Sequence, residues 1–107
     1  MLVVHRAPCH ASNLLRSEFH DHQSSIARMS RSFVMSNLME RNEDKSDPNT
    51  ACENGRRYYP RILFFDNRGV RMDIPNENGY PAYKYYYFDA DHVVYAMQDA
   101  LQHARGF

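Results

Sequence analysis

Apolar and polar positions along the chain predict alternating strands and helices. Residues 1–5 form a short continuous apolar run, which is typical of a strand buried on both faces. From residue 9 to about residue 29, apolar residues at loose helical spacing predict a helix, although a run of His and Ser at 20–25 weakens the pattern. Residues 32–38, SFVMSNL, predict a second strand. This order favours a parallel pair of strands joined by a right-handed crossover.

The second half of the chain predicts further strands and a closing helix. PRILFFD, residues 60–66, has a strong strand pattern, NRG predicts a turn, and residues 70–74 predict another strand. KYYYF, residues 84–88, is either a strand or the approach to one, and its aromatic character favours a strand. The last segment predicts a helix with Asp89 as N-cap, Gly106 as its stop and a buried face of Val93, Val94, Met97 and Leu101.

Length and composition limit the classes of protein. The 107 residues suffice for one small domain, so we treat residues 1–107 as a single domain. Lys plus Arg and Asp plus Glu both number 13, so no basic surface for nucleic acid or an anionic membrane is predicted. No apolar run approaches the ~20 residues of a membrane span. His20 and His22 are two positions apart and point in different directions on a helix, so no metal site is predicted.

The chain has two cysteines, Cys9 and Cys52, and a disulfide between them is an alternative that the sequence does not favour. Cys9 lies at the predicted strand-to-helix junction in the motif CHAS. A helix N-terminus stabilises a thiolate, the Ser12 hydroxyl can donate a hydrogen bond to the sulfur, and protonated His10 can add positive charge. We expect the pKa of Cys9 to lie below the ~8.5 of a free thiol. The alternative is that Cys9 is an ordinary residue at this junction.

The order of elements, with a cysteine opening the first helix and a proline opening a later strand, resembles the thioredoxin fold. YYPRILFFDNRGV and NENGYPAYKYYYF, with SFVMSNL and MLVVHRAPCHAS upstream, resemble the anterior gradient proteins and their relative thioredoxin domain-containing protein 12. The resemblance implies a thioredoxin-like α/β fold with a central mixed sheet and flanking helices, lacking the first strand and helix and incomplete at both ends. It also implies the endoplasmic reticulum lumen or secretion, although neither a signal peptide nor a retention tail is recognised in this sequence.

The same resemblance implies the chemistry of the site. Cys9 would attack a client disulfide, and Ser12 cannot resolve the resulting mixed disulfide, so a thiol of the client or of glutathione must do so. The resemblance also implies a cis peptide bond before Pro60, with Tyr59 and Pro60 close to the client. Arg61 beside them is expected to be solvated, with binding of a peptide carboxylate or glutathione as the alternative.

Two functions therefore compete. The first is thiol-disulfide exchange, of the isomerase or glutathione-dependent reductase type, on folding secretory proteins. It would use Cys9 and Ser12 as catalytic residues and His10, Tyr59 and Pro60 as client-binding residues, with no bound cofactor and glutathione as a co-substrate. The second is a non-catalytic module that binds clients or a partner through its tyrosines. An open edge on the strand at 32–38 would also favour a homodimer.

Overall fold

Strands and helices alternate along the chain, as the apolar pattern predicts. The computed structural model describes residues 1–6, 10–41, 50, 52 and 57–104. The elements are β1 (Leu2–His5), α1 (His10–Asp21), α2 (Gln23–Ser30), β2 (Ser36–Met39), β3 (Arg61–Phe65), β4 (Arg71–Met72) and α3 (Ala90–Ala104). The four strands form a mixed sheet in the order β2-β1-β3-β4. The predicted mixed α/β architecture is confirmed.

Strand β1 lies between a parallel and an antiparallel neighbour. It pairs in parallel with β2, where Leu2 is opposite Ser36 and His5 is opposite Met39. It pairs antiparallel with β3, where Leu2 is opposite Leu63. A parallel pair needs a long connection, and α1 and α2 supply it. The predicted parallel pair of strands is therefore confirmed, and β2 is left as an edge strand whose four residues are all exposed.

The helices bury their apolar sides in one core against the sheet. Side chains alternate along a strand, so neighbouring residues of β1 and β3 contribute to opposite faces. The larger core draws on three strands and all three helices and includes Val3, Leu15, Ile26, Ile62, Phe64 and Met97. The opposite face carries a smaller core of Val4, Leu63 and Tyr85. The arrangement fixes α1 beside the C-terminal half of β1, where the site lies.

Helix α3 begins where the sequence predicts. The Asp89 side chain caps it, because its Oδ1 accepts a hydrogen bond from the backbone N-H of His92 at 3.0 Å. Of the predicted buried face, Val93 and Met97 are fully buried, whereas Val94 and Leu101 are half-buried. The predicted stop at Gly106 lies outside the described residues.

The prediction of one helix before β2 was wrong, because His22 divides it into α1 and α2. The His22 backbone has φ −115° and ψ 30°, which is outside the helical region. Its ring Nδ1 donates to the carbonyl of Glu18 at 3.1 Å, the same carbonyl that accepts its backbone N-H at 3.0 Å. A side chain that competes for a helix carbonyl favours an interruption at this point.

Strands β2 and β4 are shorter than predicted. The backbone N-H of Ser32 donates to Met29 at 3.1 Å and that of Phe33 to Ser30 at 3.0 Å, so these residues complete the end of α2. The strand therefore starts at Ser36 rather than at residue 32. Strand β4 contains only Arg71 and Met72, so the prediction of a strand over 70–74 was also wrong in extent.

Residues 84–88 do not form the predicted strand. They make a single bridge to the sheet, between Tyr86 and Arg61. Two of their backbone groups form hydrogen bonds with side chains instead. The N-H of Tyr85 donates to the Tyr58 hydroxyl at 3.1 Å, and the carbonyl of Tyr86 accepts from Asn76 Nδ2 at 3.0 Å. Aromatic residues fit a pleated surface, but these hydrogen bonds hold the segment in an irregular path.

Candidate active site

A cavity of about 370 Å³ opens between β1, helix α1 and the start of β3. Its wall includes Val3, His5, Ser12, Phe19, Asn37 and Pro60. Apolar side chains with a few polar groups among them are typical of a binding site. Two of the predicted site residues, Ser12 and Pro60, therefore line the same cavity.

Ser12 lies in the first turn of α1, which begins at His10. Its side chain is buried, and its Oγ has no hydrogen-bond partner among the described residues. A buried hydroxyl without a partner costs roughly 1–3 kcal/mol. Ser12 thus places a buried hydroxyl, without a partner among the described residues, beside the cavity.

The side chains of Tyr59 and Pro60 lie in different surroundings. The peptide bond between them is cis, as the resemblance implied. Pro60 is buried and lines the cavity, whereas Tyr59 packs against the smaller core and donates its hydroxyl to Glu40 Oε1 at 2.6 Å. Burial raises the pKa of Tyr59, and the hydrogen bond to Glu40 raises it further. The Tyr59 hydroxyl is therefore engaged within the protein.

Arg61, the residue after Pro60, is a buried cation rather than the solvated charge that we expected from the sequence. Its guanidinium lies 3.3 Å from Glu40 Oε1. It also donates to two backbone carbonyls, that of Tyr58 at 2.8 Å and that of Thr50 at 3.1 Å. These contacts hold the chain on both sides of the Tyr59-Pro60 bond. We call Glu40, Thr50, Tyr58, Tyr59 and Arg61 the arginine cluster.

The arginine cluster is the part of the site that the sequence analysis missed. One signal for it was present, because an arginine that opens the apolar run RILFF needs a partner if the strand is buried. Nothing in the sequence identifies that partner as Glu40, which follows β2 directly and is 21 residues away from Arg61.

Among the described residues, the cavity wall does not include His10 or Cys52. Cys9 lies outside the described residues, and α1 begins at the next position in the sequence. His10 is exposed and is not among the described residues of the cavity wall. Cys52 is a half-buried free thiol.

Metal and membrane sites have no counterpart in the described part of the chain. Over those residues, no group of three or more His, Cys, Asp or Glu side chains could hold a metal ion. No helix among them is long and apolar enough to cross a bilayer.

A separate cluster of aromatic rings, Tyr80, Tyr86 and Phe88, lies on the surface. The ring centroids are 6.0 to 6.2 Å apart. Tyr80 and Phe88 are exposed, and Phe88 also contacts the ring of His92 edge-on at 5.1 Å. We call these three rings the aromatic cluster. It belongs to the tyrosine-rich segment that the alternative function would use.

The mixed sheet, the helices packed on it and the cavity beside the first turn of α1 define a thioredoxin-like protein. No protein-family model matches the sequence. The chain is 32% identical over 102 residues to anterior gradient protein 2-B of Xenopus laevis. It is 30% identical over 102 residues to anterior gradient protein 2 of Xenopus tropicalis.

Both alignments cover 94% of this chain but 58% of the relative, so the chain spans somewhat more than half the length of these proteins. The similarity supports the relationship to the anterior gradient family that the sequence segments indicated. The finer resemblance to thioredoxin domain-containing protein 12 stays a prediction.

Proposed function

We propose that the chain is a thioredoxin-like thiol-disulfide exchange protein of the anterior gradient family, with Cys9 of the CHAS motif as its single nucleophile. The observation that carries the proposal is the cavity whose wall contains both the buried Ser12 hydroxyl and Pro60, beside the first turn of α1. The similarity to the anterior gradient proteins supports it. By the same resemblance, we propose folding secretory proteins as clients and the endoplasmic reticulum lumen or the extracellular space as the compartment.

The proposed reaction is an exchange of disulfides. The Cys9 thiolate attacks one sulfur of a client cystine, the client disulfide breaks, and the other client sulfur leaves as a thiolate. The unpaired N-H groups of the first helical turn and the Ser12 hydroxyl favour the anionic form of Cys9. A thiol of the client or of glutathione then attacks the mixed disulfide. Resolution by the client gives isomerisation, whereas two glutathione molecules reduce the client and leave as oxidised glutathione.

The first test is capture of a disulfide-bonded peptide, followed by mass spectrometry without reductant. We expect the wild-type chain to form a mixed disulfide that Cys9→Ala abolishes. Cys52→Ala is the matched control, because it removes the other thiol of the chain, and it should trap the peptide normally. Equal trapping by Cys9→Ala, or no adduct in the wild type, would refute the proposal.

The second test restores a resolving thiol. Ser12→Cys converts the motif to CHAC, and we expect the variant to reduce an insulin-type disulfide in the presence of dithiothreitol faster than the wild type. Ser17→Cys is the control, because Ser17 lies on the same helix but is exposed. Equal rates for the two variants would contradict the assumed position of Ser12 next to Cys9.

The exposed aromatic cluster supports the second candidate function, a binding module that does not need Cys9. Under this alternative, Cys9→Ala would bind an unfolded client as well as the wild type, and Phe88→Ala would bind it less well. Tyr95→Ala, which removes an exposed tyrosine from α3, is the control. Loss of client binding in Cys9→Ala together with full binding by Phe88→Ala would exclude this alternative.

We also propose that two copies pair through β2. The strand is at the edge of the sheet, its sequence SNLM carries no charge, and all its residues are exposed. Uncharged exposed edges tend to pair with another strand. Sedimentation should detect a dimer that Leu38→Lys weakens and Leu14→Lys, on the exposed side of α1, does not. A monomer at all concentrations would refute this pairing.

A further inference from the structure

We propose that His5 is the proton carrier of the cavity, accepting the proton of the thiol that resolves the mixed disulfide. This inference rests on the function proposed above. His5 is the last residue of β1, and side chains two positions apart in a strand share a face. Val3 packs into the larger core with Leu15 of α1. His5 accordingly lines the cavity together with Ser12, whose hydroxyl has no partner among the described residues.

A neighbour on β2 lies beside the His5 ring. Nε2 of His5 lies 3.5 Å from Oδ1 of Asn37, which also lines the cavity. Because a carbonyl oxygen can only accept, this contact favours the tautomer in which Nε2 carries the hydrogen. In the neutral ring, Nδ1 is then the nitrogen that can take up a proton. Half-burial keeps the ring in contact with the cavity while leaving it open to exchange with solvent.

The other ionisable side chains around His5 are arginines or are engaged in contacts elsewhere. Arg16 of α1 lines the same cavity, and a guanidinium group is a donor without a site to accept a proton. Arg6, the next residue, lies over the ring of Tyr59, with 5.8 Å to the centroid. The backbone N-H of Glu40 donates to the carbonyl of His5 at 2.8 Å, but the Glu40 carboxylate is paired with the buried guanidinium of the arginine cluster. His5 is the only histidine among the described residues of the wall, and histidine is the side chain type suited to proton transfer.

The proposed step is balanced without an external oxidant or reductant. The incoming thiol transfers its proton to Nδ1 of His5 and becomes a thiolate. This thiolate attacks the mixed disulfide at the client sulfur or at the Cys9 sulfur, one disulfide bond forms as the other breaks, and the displaced sulfur leaves as a thiolate. The imidazolium of His5 then returns the proton to that thiolate or to water. General base catalysis of this kind matters most below the pKa of the thiol, where little free thiolate exists.

The experiment follows the two exchange steps with one chromophore. Ellman's reagent converts Cys9 to its thionitrobenzoate disulfide and releases one coloured thiolate, and glutathione then attacks this adduct. A Cys52→Ala background restricts the adduct to Cys9. In stopped-flow at pH 5.5 to 8.5, we expect His5→Gln to form the adduct fully. Resolution by glutathione should slow about tenfold at pH 6 to 7, with the difference shrinking towards pH 8.5, where glutathione supplies its own thiolate. Glutamine retains a hydrogen-bond donor for Asn37 but cannot accept a proton in this range.

Two further variants test whether the slower resolution is specific to His5. His20→Gln changes an exposed histidine of α1 and should resolve at the parental rate throughout. His5→Asn provides a second substitution should His5→Gln fail to fold by circular dichroism, and it should show the same pH-dependent loss. Full adduct formation with parental resolution rates in the His5 variants would overturn the role of His5 alone. Absence of any Cys9 adduct in the parent would overturn the proposed function and this inference together.

Discussion

The buried ion pair between Glu40 and Arg61 makes a quantitative prediction about stability. The side chains are 9% and 1% exposed, and Oε1 of Glu40 is 3.3 Å from the guanidinium. Glu40→Ala removes the carboxylate and leaves a cation with almost no access to water. It also removes the acceptor of the Tyr59 hydroxyl. The substitution therefore leaves a charge and a hydroxyl uncompensated at the same time.

The expected loss is about 3 kcal/mol in the free energy of unfolding. Removing one partner of a buried pair costs roughly 3–5 kcal/mol, and the lower end applies because Arg61 keeps its hydrogen bonds to the carbonyls of Tyr58 and Thr50. Domains of this size unfold with about 5–15 kcal/mol, so the loss is a large share of the total. At about 4 °C per kcal/mol, Tm should fall by about 12 °C.

Urea unfolding at pH 7, monitored by circular dichroism, measures the effect. The matched control is Arg68→Ala, which breaks an exposed ion pair with Asp66 at 3.2 Å, where Arg68 is 80% exposed. That variant should lose less than about 1 kcal/mol. Adding Arg61→Met to Glu40→Ala should regain stability, because the uncompensated cation is gone. If Glu40→Ala unfolds within about 1 kcal/mol of the wild type, the carboxylate of Glu40 does not compensate the buried charge of Arg61.

Three further predictions concern residues outside the cavity. Tyr87→Phe should be neutral or stabilising at pH 7, because the buried Tyr87 hydroxyl has no partner among the described residues. Burial raises the pKa of Tyr87, so the unfolded chain loses the hydroxyl proton at a lower pH than the folded chain. The free energy of unfolding of the wild type should therefore fall as pH rises above about 10. In urea titrations at about pH 8 and about pH 10.5, Tyr87→Phe should lose less stability between the two pH values than the wild type. The backbone N-H of Val70, 3.0 Å away, lowers the pKa of Asp66. The stabilisation by the Asp66 carboxylate is therefore present at neutral pH and lost as pH falls below about 4. Asp66→Asn should reduce this acid-induced loss of the free energy of unfolding, and an unchanged loss would contradict the prediction. Gly69→Ala should lower the free energy of unfolding by about 1 kcal/mol in the same assay, because the φ of Gly69 is 79°. The cost is conformational, since no atom lies within 4 Å of the added Cβ. An unaffected urea midpoint would show that the turn accommodates alanine.

Elements that bury their own apolar pattern could be predicted from the sequence. Strand β3 and helix α3 are examples, because each places an apolar run or stripe directly in the core. Residues 84–88 could not, because their path depends on a hydrogen bond donated by Asn76 and another accepted by the Tyr58 hydroxyl, which lie 10 and 27 residues from their partners. β-propensity describes the preference of a residue in isolation, whereas here hydrogen bonds with side chains take the place of those that a neighbouring strand would make.

The candidate site was predictable in part for the same reason. Ser12 and Pro60 were named from the motif and from the resemblance, and the structure brings both to one cavity. His5 belongs to the apolar run of β1, and its access to the cavity depends on where α1 packs. The partner of Arg61 depends on the end of β2 and on residue 50, which only the folded chain brings together.

The guanidinium of Arg61 also has a consequence for how the gene can change. It anchors the chain at Glu40 and again at Thr50, so the stretch between them is closed at both ends by buried contacts. A single change at the Arg61 codon therefore removes both anchors together, whereas a change at the Glu40 codon leaves the contact with the Thr50 carbonyl in place.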